Sequence, residues 1–109
     1  MRILTVSNFY PPYYRSWYEL GCHSAMEGLK ALGHEIKVLT STYRVESPQI
    51  DGEIYRWLQP CFQRKPGTKA IFHVETVNQI AFKQVCREFQ PDVVFFWSLT
   101  HISISLAFL

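Results

Sequence analysis

Apolar residues along this chain recur with two different spacings, and the changes of spacing divide it into elements. Arg2-Ile3-Leu4-Thr5-Val6-Ser7 is a short apolar run that reads as a strand. A loop of aromatics and prolines follows, Asn8-Phe9-Tyr10-Pro11-Pro12-Tyr13-Tyr14. From Trp17 or Tyr18 the spacing becomes helical: Cys22, Met26 and Leu29, with Ala25 and Leu32 beside them, form one buried stripe. Gly33 stands just past the last turn, where a left-handed residue closes a helix and a side chain is penalised. After His34-Glu35, Ile36-Lys37-Val38-Leu39-Thr40 reads as a second strand. Strand, long helix and strand in this order predict a parallel βαβ unit with a right-handed crossover. Ligands of such sheets bind outside the carboxyl ends of the strands, which is where the aromatic loop falls.

The second half repeats the alternation with a different rhythm. Ser41 to Ile50 is polar, contains Pro48 and reads as a connection; Asp51-Gly52 is a turn signal. Glu53-Ile54-Tyr55-Arg56-Trp57-Leu58 alternates polar and apolar, the pattern of a half-exposed strand. Pro60 to Thr68, with Pro66-Gly67, is a further loop, and a long helix spans Lys69 to Phe89 with Val74, Val77, Ala81, Val85 and Phe89 as its stripe. Pro91 ends that helix, because the residue before a proline resists helical geometry. Val93-Val94-Phe95-Phe96-Trp97 is continuously apolar and predicts a strand buried on both faces. Ser98 to His101 is a loop, and Ile102 to Leu109 reads as the opening of a third helix. The pattern yields four strands, one of them an edge, and two readings stay open. One is a truncated domain; the other is a small fold that covers its open edge by self-association, making a homodimer.

Composition narrows the functional classes. A length of 109 residues allows one domain, and 48% hydrophobic with 16% aromatic residues excludes a disordered chain. The net charge of +2 comes from scattered Lys and Arg, without the basic stripe that binding to nucleic acid or an anionic membrane requires. No window approaches the length of a membrane span, and no signal peptide is visible at the start. Three cysteines (Cys22, Cys61, Cys86) without a C-x-x-C pair suggest neither a disulfide framework nor a zinc site, and Cys22 and Cys86 fit as small core residues. The histidines (His23, His34, His73, His101) share no metal-ligand spacing. A cytoplasmic protein without metal or other cofactor is expected. Ser-His-Asp sets, a P-loop and G-x-G-x-x-G are all missing, which argues against hydrolase, kinase and dinucleotide-binding readings.

Five stretches carry a resemblance. Met1 to Pro12, then Tyr18-Glu19-Leu20-Gly21-Cys22 and Gly33-His34-Glu35 through Ser41, then Gly52 to Leu58, then Pro91-Asp92-Val93-Val94, are similar in order and spacing to the start of family 4 glycosyltransferases with the GT-B fold. The resemblance covers nearly the whole chain. It implies an α/β fold, a Rossmann-like three-layer domain around a parallel sheet, with residues 1–109 forming part of the N-terminal, acceptor-side domain. The implied activity is retaining transfer of a hexosyl group from a nucleotide sugar to an acceptor hydroxyl, with no metal. The donor domain, with the family's paired glutamates, has no counterpart here, so this chain alone is expected to be inactive.

Two departures locate the candidate site. Relatives carry Gly-Gly where this chain has Ser16-Trp17, and those glycines let the backbone approach the donor diphosphate before a helix N-terminus. Trp17 is expected to obstruct that approach, while Ser16 is able to cap the helix. Relatives often have Asn-Leu-Gly-Gly where this chain has Ser98-Leu99-Thr100-His101. The strand order implied by the resemblance sets the two altered loops against one cleft; a remodelled acceptor pocket and decay of an unselected remnant are both open. The cleft candidates are Asn8, Tyr14, Arg15, Ser16, Trp17, Ser98 and His101, with no catalytic residue assigned. Asn8 either bonds a sugar or fixes its loop. Tyr10, Tyr13 and Tyr14 either stack on a sugar or pack the loop onto the sheet. Arg15 is the candidate phosphate contact. His101 either polarises an acceptor hydroxyl or sits at a helix start. Glu19 suits the helix dipole, and His34 is structural.

Overall fold

The alternation of the strands sorts side chains onto two faces, and each face finds its own helix. A computed structural model describes residues 1–60, 68–99, 101–102 and 104–108. Along them run β1 (Arg2–Val6), α1 (Trp17–Ala31), β2 (Glu35–Ser41), β3 (Gln49–Asp51), β4 (Ile54–Leu58), α2 (Thr68–Phe89) and β5 (Val93–Phe96), then a 3-10 helix at Ile104–Phe108. Most of the expected loop from Pro60 to Thr68, with Cys61, lies outside the described residues, as does Thr100.

The five strands form one sheet in the order β3-β4-β2-β1-β5. β1 runs parallel to β2, with Ile3 opposite Ile36 and Val6 opposite Leu39, and parallel to β5, with Val6 opposite Phe96. β2 and β4 are also parallel, and β3 alone is antiparallel. The chain is therefore α/β with a mixed, mostly parallel sheet, compatible with a Rossmann-like arrangement. Ile3, Ile36 and Val38 pack on Cys22 and Met26 of α1, while Leu4, Val6, Leu39 and Leu58 pack on Ala81, Phe82, Val85 and Phe89 of α2. Each large apolar side chain removed from water in these layers contributes about 1.5–3 kcal/mol before entropy is counted.

Helix α1 closes as its glycine predicts. Gly33 has φ +94°, its N–H donates to Lys30 O at 2.9 Å, and the His34 N–H donates to Leu29 O at 3.1 Å. This paired closure is the Schellman arrangement. Leu32 departs from the expected stripe: as the cap residue it has rotated off the buried face and is 77% exposed. Helix α2 ends at Phe89, and Gln90 before Pro91 adopts φ +50°. Its buried face is Asn78, Ala81, Phe82, Val85 and Phe89, with Val74 and Val77 only half-buried.

Four further expectations are corrected. The polar connection contains β3, which forms a hairpin with β4 around Gly52 (φ +62°), so the strands number five among the described residues. Strand β4 is not half-exposed, because it lies between β2 and β3 and its polar residue Arg56 is 1% exposed. Strand β5 is an edge with one covered face: Val94 and Phe96 pack towards α2, while Val93 and Phe95 are 41% and 46% exposed. The third helix is a short 3-10 turn whose Ser105 hydroxyl donates to the Glu75 carboxylate of α2. Among the described residues no helix is long and apolar enough to cross a membrane.

Candidate functional site

Strand β1 has β2 on one side and β5 on the other, so the connections leaving its carboxyl end and that of β5 diverge and open a crevice between them. The loop after β1 supplies Asn8 and, further on, Arg15 and Ser16 at the start of α1; the segment after β5 supplies Ser98 and His101. All five line one cleft of about 490 Å³, together with Phe9, Tyr18, Glu19 and Trp97.

Asn8 ties the floor of the cleft together. Its Nδ2 donates to Ser98 Oγ at 2.6 Å, its Oδ1 accepts the His101 N–H at 2.9 Å, and its backbone O accepts the Ser41 hydroxyl at 2.5 Å. The side chain is buried, and of the two roles open to it the loop-fixing one accounts for these contacts. Phe9 is the hub above it. Its ring lies 5.6 Å from the His101 ring and 4.6 Å from that of Tyr43, and the Arg15 guanidinium sits 5.8 Å from its centroid.

The start of α1 is closed by Glu19. Its Oε1 accepts the N–H groups of Arg15 at 3.0 Å and Ser16 at 3.1 Å, and its Oε2 accepts the Ser16 hydroxyl. Ser16 is the N-cap, as expected, within a capping box completed by Glu19. A carboxylate of the chain itself thus holds two amides at the point where the resemblance puts a diphosphate.

Two candidates lie elsewhere. Trp17 is the first residue of α1 and stands 86% exposed outside the cleft, so it does not obstruct it. Tyr14 is 42% exposed and also does not line the cleft. Of its neighbours, Tyr10 is buried, with its hydroxyl 3.3 Å from His23 Nδ1, and Tyr13 is half-buried.

The residue that sequence reasoning missed is Arg56. From β4 it reaches under the proline loop: Nη1 donates to Tyr10 O at 3.2 Å, Nη2 to Pro11 O at 2.9 Å, and Nε to Asp51 Oδ2 at 3.0 Å. Its guanidinium carbon lies 5.0 Å from the Tyr13 ring centroid. The Pro11–Pro12 peptide in this loop is cis. The available signal was one charged residue within an apolar strand, which equally describes a solvated position.

Electrostatics argue against covalent catalysis by the nearby acidic hydrogens. Burial, with the Glu19 charge second, pushes the Cys22 thiol up to about 12, and burial raises Tyr10 as well. Both stay protonated near neutrality and are weak nucleophiles. Among the described residues no group of His, Cys, Asp and Glu is arranged to hold a metal ion. The cleft offers one cation (Arg15), one carboxylate (Glu19), one imidazole (His101), hydroxyls and an amide, a set suited to hydrogen-bonding a hydroxylated ligand, with Arg15 as the group for a phosphate. No protein-family model matches the chain, and neither a curated protein nor a solved structure matches it.

Proposed function

We propose that this chain is the acceptor-side part of a GT-B, family 4 type of retaining glycosyltransferase, working in the cytoplasm. The supporting observation is the meeting of Asn8, Arg15, Ser16, Ser98 and His101, drawn from loops 90 positions apart, in one crevice at the carboxyl ends of β1 and β5. Hexosyl transfer breaks the bond from the anomeric carbon to the leaving phosphate oxygen and forms one to an acceptor oxygen, whose proton must be taken up. His101 is the group for polarising the acceptor hydroxyl, and Arg15 for neutralising phosphate. The free thiols of Cys22 and Cys86 fit a reducing compartment. Holding the nucleotide sugar requires a second domain facing the cleft, so incubation of this chain alone with labelled nucleotide sugars is expected to give no transfer; turnover would overturn that part.

The direct test is a titration of the isotope-labelled chain with glucose 6-phosphate to millimolar concentration, read by amide shifts. Shifts confined to Asn8, Arg15, Ser16, Ser98 and His101 support the reading, and an unchanged spectrum refutes it. The exposed apolar face of β5 favours a second reading, a non-catalytic module that dimerises through this edge. A strictly monomeric mass in solution counts against that alternative.

A further inference from the structure

The proline loop begins and ends on cleft residues, Phe9 on one side and Arg15-Ser16 on the other, yet its middle is anchored outside the cleft. That anchor is a single side chain from β4, which is separated from β1 by β2 in the sheet. We infer that Arg56 is the positioning residue of the cleft, whose guanidinium, forked onto the Tyr10 and Pro11 carbonyls and backed by Asp51, sets where Phe9, Arg15 and Ser16 stand.

Three observations carry this. First, Arg56 is 1% exposed, and a buried cation is tolerated only where acceptors and an opposite charge surround it; here two consecutive backbone carbonyls and one carboxylate do so. Second, the arrangement needs arginine itself. A planar fork reaches three acceptors in fixed directions, whereas the point charge of lysine on a flexible stem cannot span them together. Third, the ends of the loop are fixed by other groups, the Ser7 hydroxyl on Phe9 O at 2.9 Å and Glu19 on the Arg15 and Ser16 amides, but its middle rests on Arg56. The inner backbone contact there is the Tyr13 N–H donating to Tyr10 O at 3.1 Å, the same carbonyl that Arg56 holds, so the guanidinium sets the frame of the turn that joins the two ends. Asp51 belongs to the β3–β4 hairpin, and its outer side is wet, with a side chain 45% exposed. The edge of the sheet is thereby coupled to the cleft through one ion pair. That the positioned residues bind a hexose phosphate rests on the reading above; the positioning itself does not.

Amide hydrogen exchange on the isotope-labelled chain tests the inference without any ligand. In Arg56→Lys the amide of Tyr13, whose acceptor is the carbonyl held by the fork, is expected to exchange about tenfold faster or more, the ratio expected from loss of one charge-assisted hydrogen bond. The Arg15 and Ser16 amides, which Glu19 also holds, are expected to accelerate less. The sheet amides of Ser7 and Trp97, which donate to Leu39 O and Val6 O, are expected to keep their rates. Loop amides as protected as in the unmodified chain overturn the inference. Acceleration spread evenly over loop and sheet overturns it too, since that marks general support of the fold. Should Arg56→Lys fail to fold, Asp51→Asn weakens the same fork from its wet side and is read by the same two outcomes. The glucose 6-phosphate titration is then repeated on the variant. Loss of the cleft shifts supports positioning, and unchanged shifts with a loosened loop overturn it. An unmodified chain that shows no shifts refutes the functional reading and leaves the exchange result to decide on Arg56.

Discussion

Replacing Glu19 by alanine separates the stability of α1 from the chemistry of the cleft. The substitution removes the acceptor of the Arg15 and Ser16 amides and of the Ser16 hydroxyl at once, from a residue 4% exposed. Loss of the capping interaction costs about 1 kcal/mol, and loss of a negative charge from the first helical turn a further ~0.5–1 kcal/mol. The two backbone amides lose a charged acceptor at the edge of a cleft, where water replaces part of it, adding about 1 kcal/mol. The sum is about 3 kcal/mol, and for a domain of this size it lowers the melting temperature by roughly 10–25 °C. Glu19→Gln keeps an acceptor oxygen and is expected to cost about 1 kcal/mol. Urea unfolding of the three proteins measures both. The same glutamine variant is expected to bind glucose 6-phosphate roughly three- to tenfold more tightly, because a carboxylate no longer faces the phosphate across the cleft. A loss below about 0.5 kcal/mol in Glu19→Ala refutes the capping argument. Unchanged or weaker phosphate binding in Glu19→Gln refutes the electrostatic one.

Other substitutions test how the scaffold holds the cleft. Asn78→Ala removes the carboxamide that accepts the Gln59 N–H at 2.6 Å and donates to Gln59 O at 3.1 Å, and is expected to cost about 2–4 kcal/mol. A change under about 1 kcal/mol in urea would show that α2 is held to β4 by other means. Thr40 is buried with a hydroxyl that has no partner among the described residues, so Thr40→Val is expected to raise stability by about 1 kcal/mol; a loss in the urea midpoint refutes this. Hydrogen bonds from Gln49 and then Arg56 hold the Asp51 carboxyl below its ordinary 3.8. Its contribution is therefore complete above that value and fades as pH falls through the lower folded one. Asp51→Asn is expected to flatten this acid limb of stability, and a variant whose urea midpoints track the parent down the pH series contradicts the pairing.

The first half of the fold was legible because its signals are local. The period change at Trp17, the stripe through Cys22 and Met26, and the left-handed Gly33 each depend on residues within a few positions, and all three stand in the structure. Signals that depend on neighbours in space were not legible. Gln49-Ile50-Asp51 has no alternation of its own and becomes a strand only by pairing with β4. The run Val93 to Trp97 looks doubly buried because β-branched and aromatic residues suit any strand, and composition does not tell whether a second layer covers the sheet there. Leu32 fits the helical period by number but falls on the cap, where the period no longer applies.

The candidate site divides along the same line, and the division bears on what its altered residues mean. Asn8, Ser98 and His101 follow directly from which strands are adjacent, so a correct strand order was enough to bring them together. Trp17 is expected from its size alone to obstruct the approach, whereas in the structure it is 86% exposed and does not line the cleft. Exposure at a helix start depends on neighbours in space that the sequence does not show. With tryptophan in place of glycine at this point the cleft is still present, and the charge at its helix end is that of Glu19. Arg56 was invisible for a further reason, since its burial is made by a loop 45 positions earlier. A sheet order plus a loop that folds back is needed before a charged residue in a strand reads as buried. Glu19 lies in a stretch that resembles the family, so the carboxylate seated on the amides of the α1 start is no departure. Under the proposed reading a ligand in the cleft meets Arg15 and His101, with the hydroxyls of Ser16 and Ser98 beside them. An acceptor with several hydroxyls and a single peripheral phosphate matches that set better than a diphosphate does.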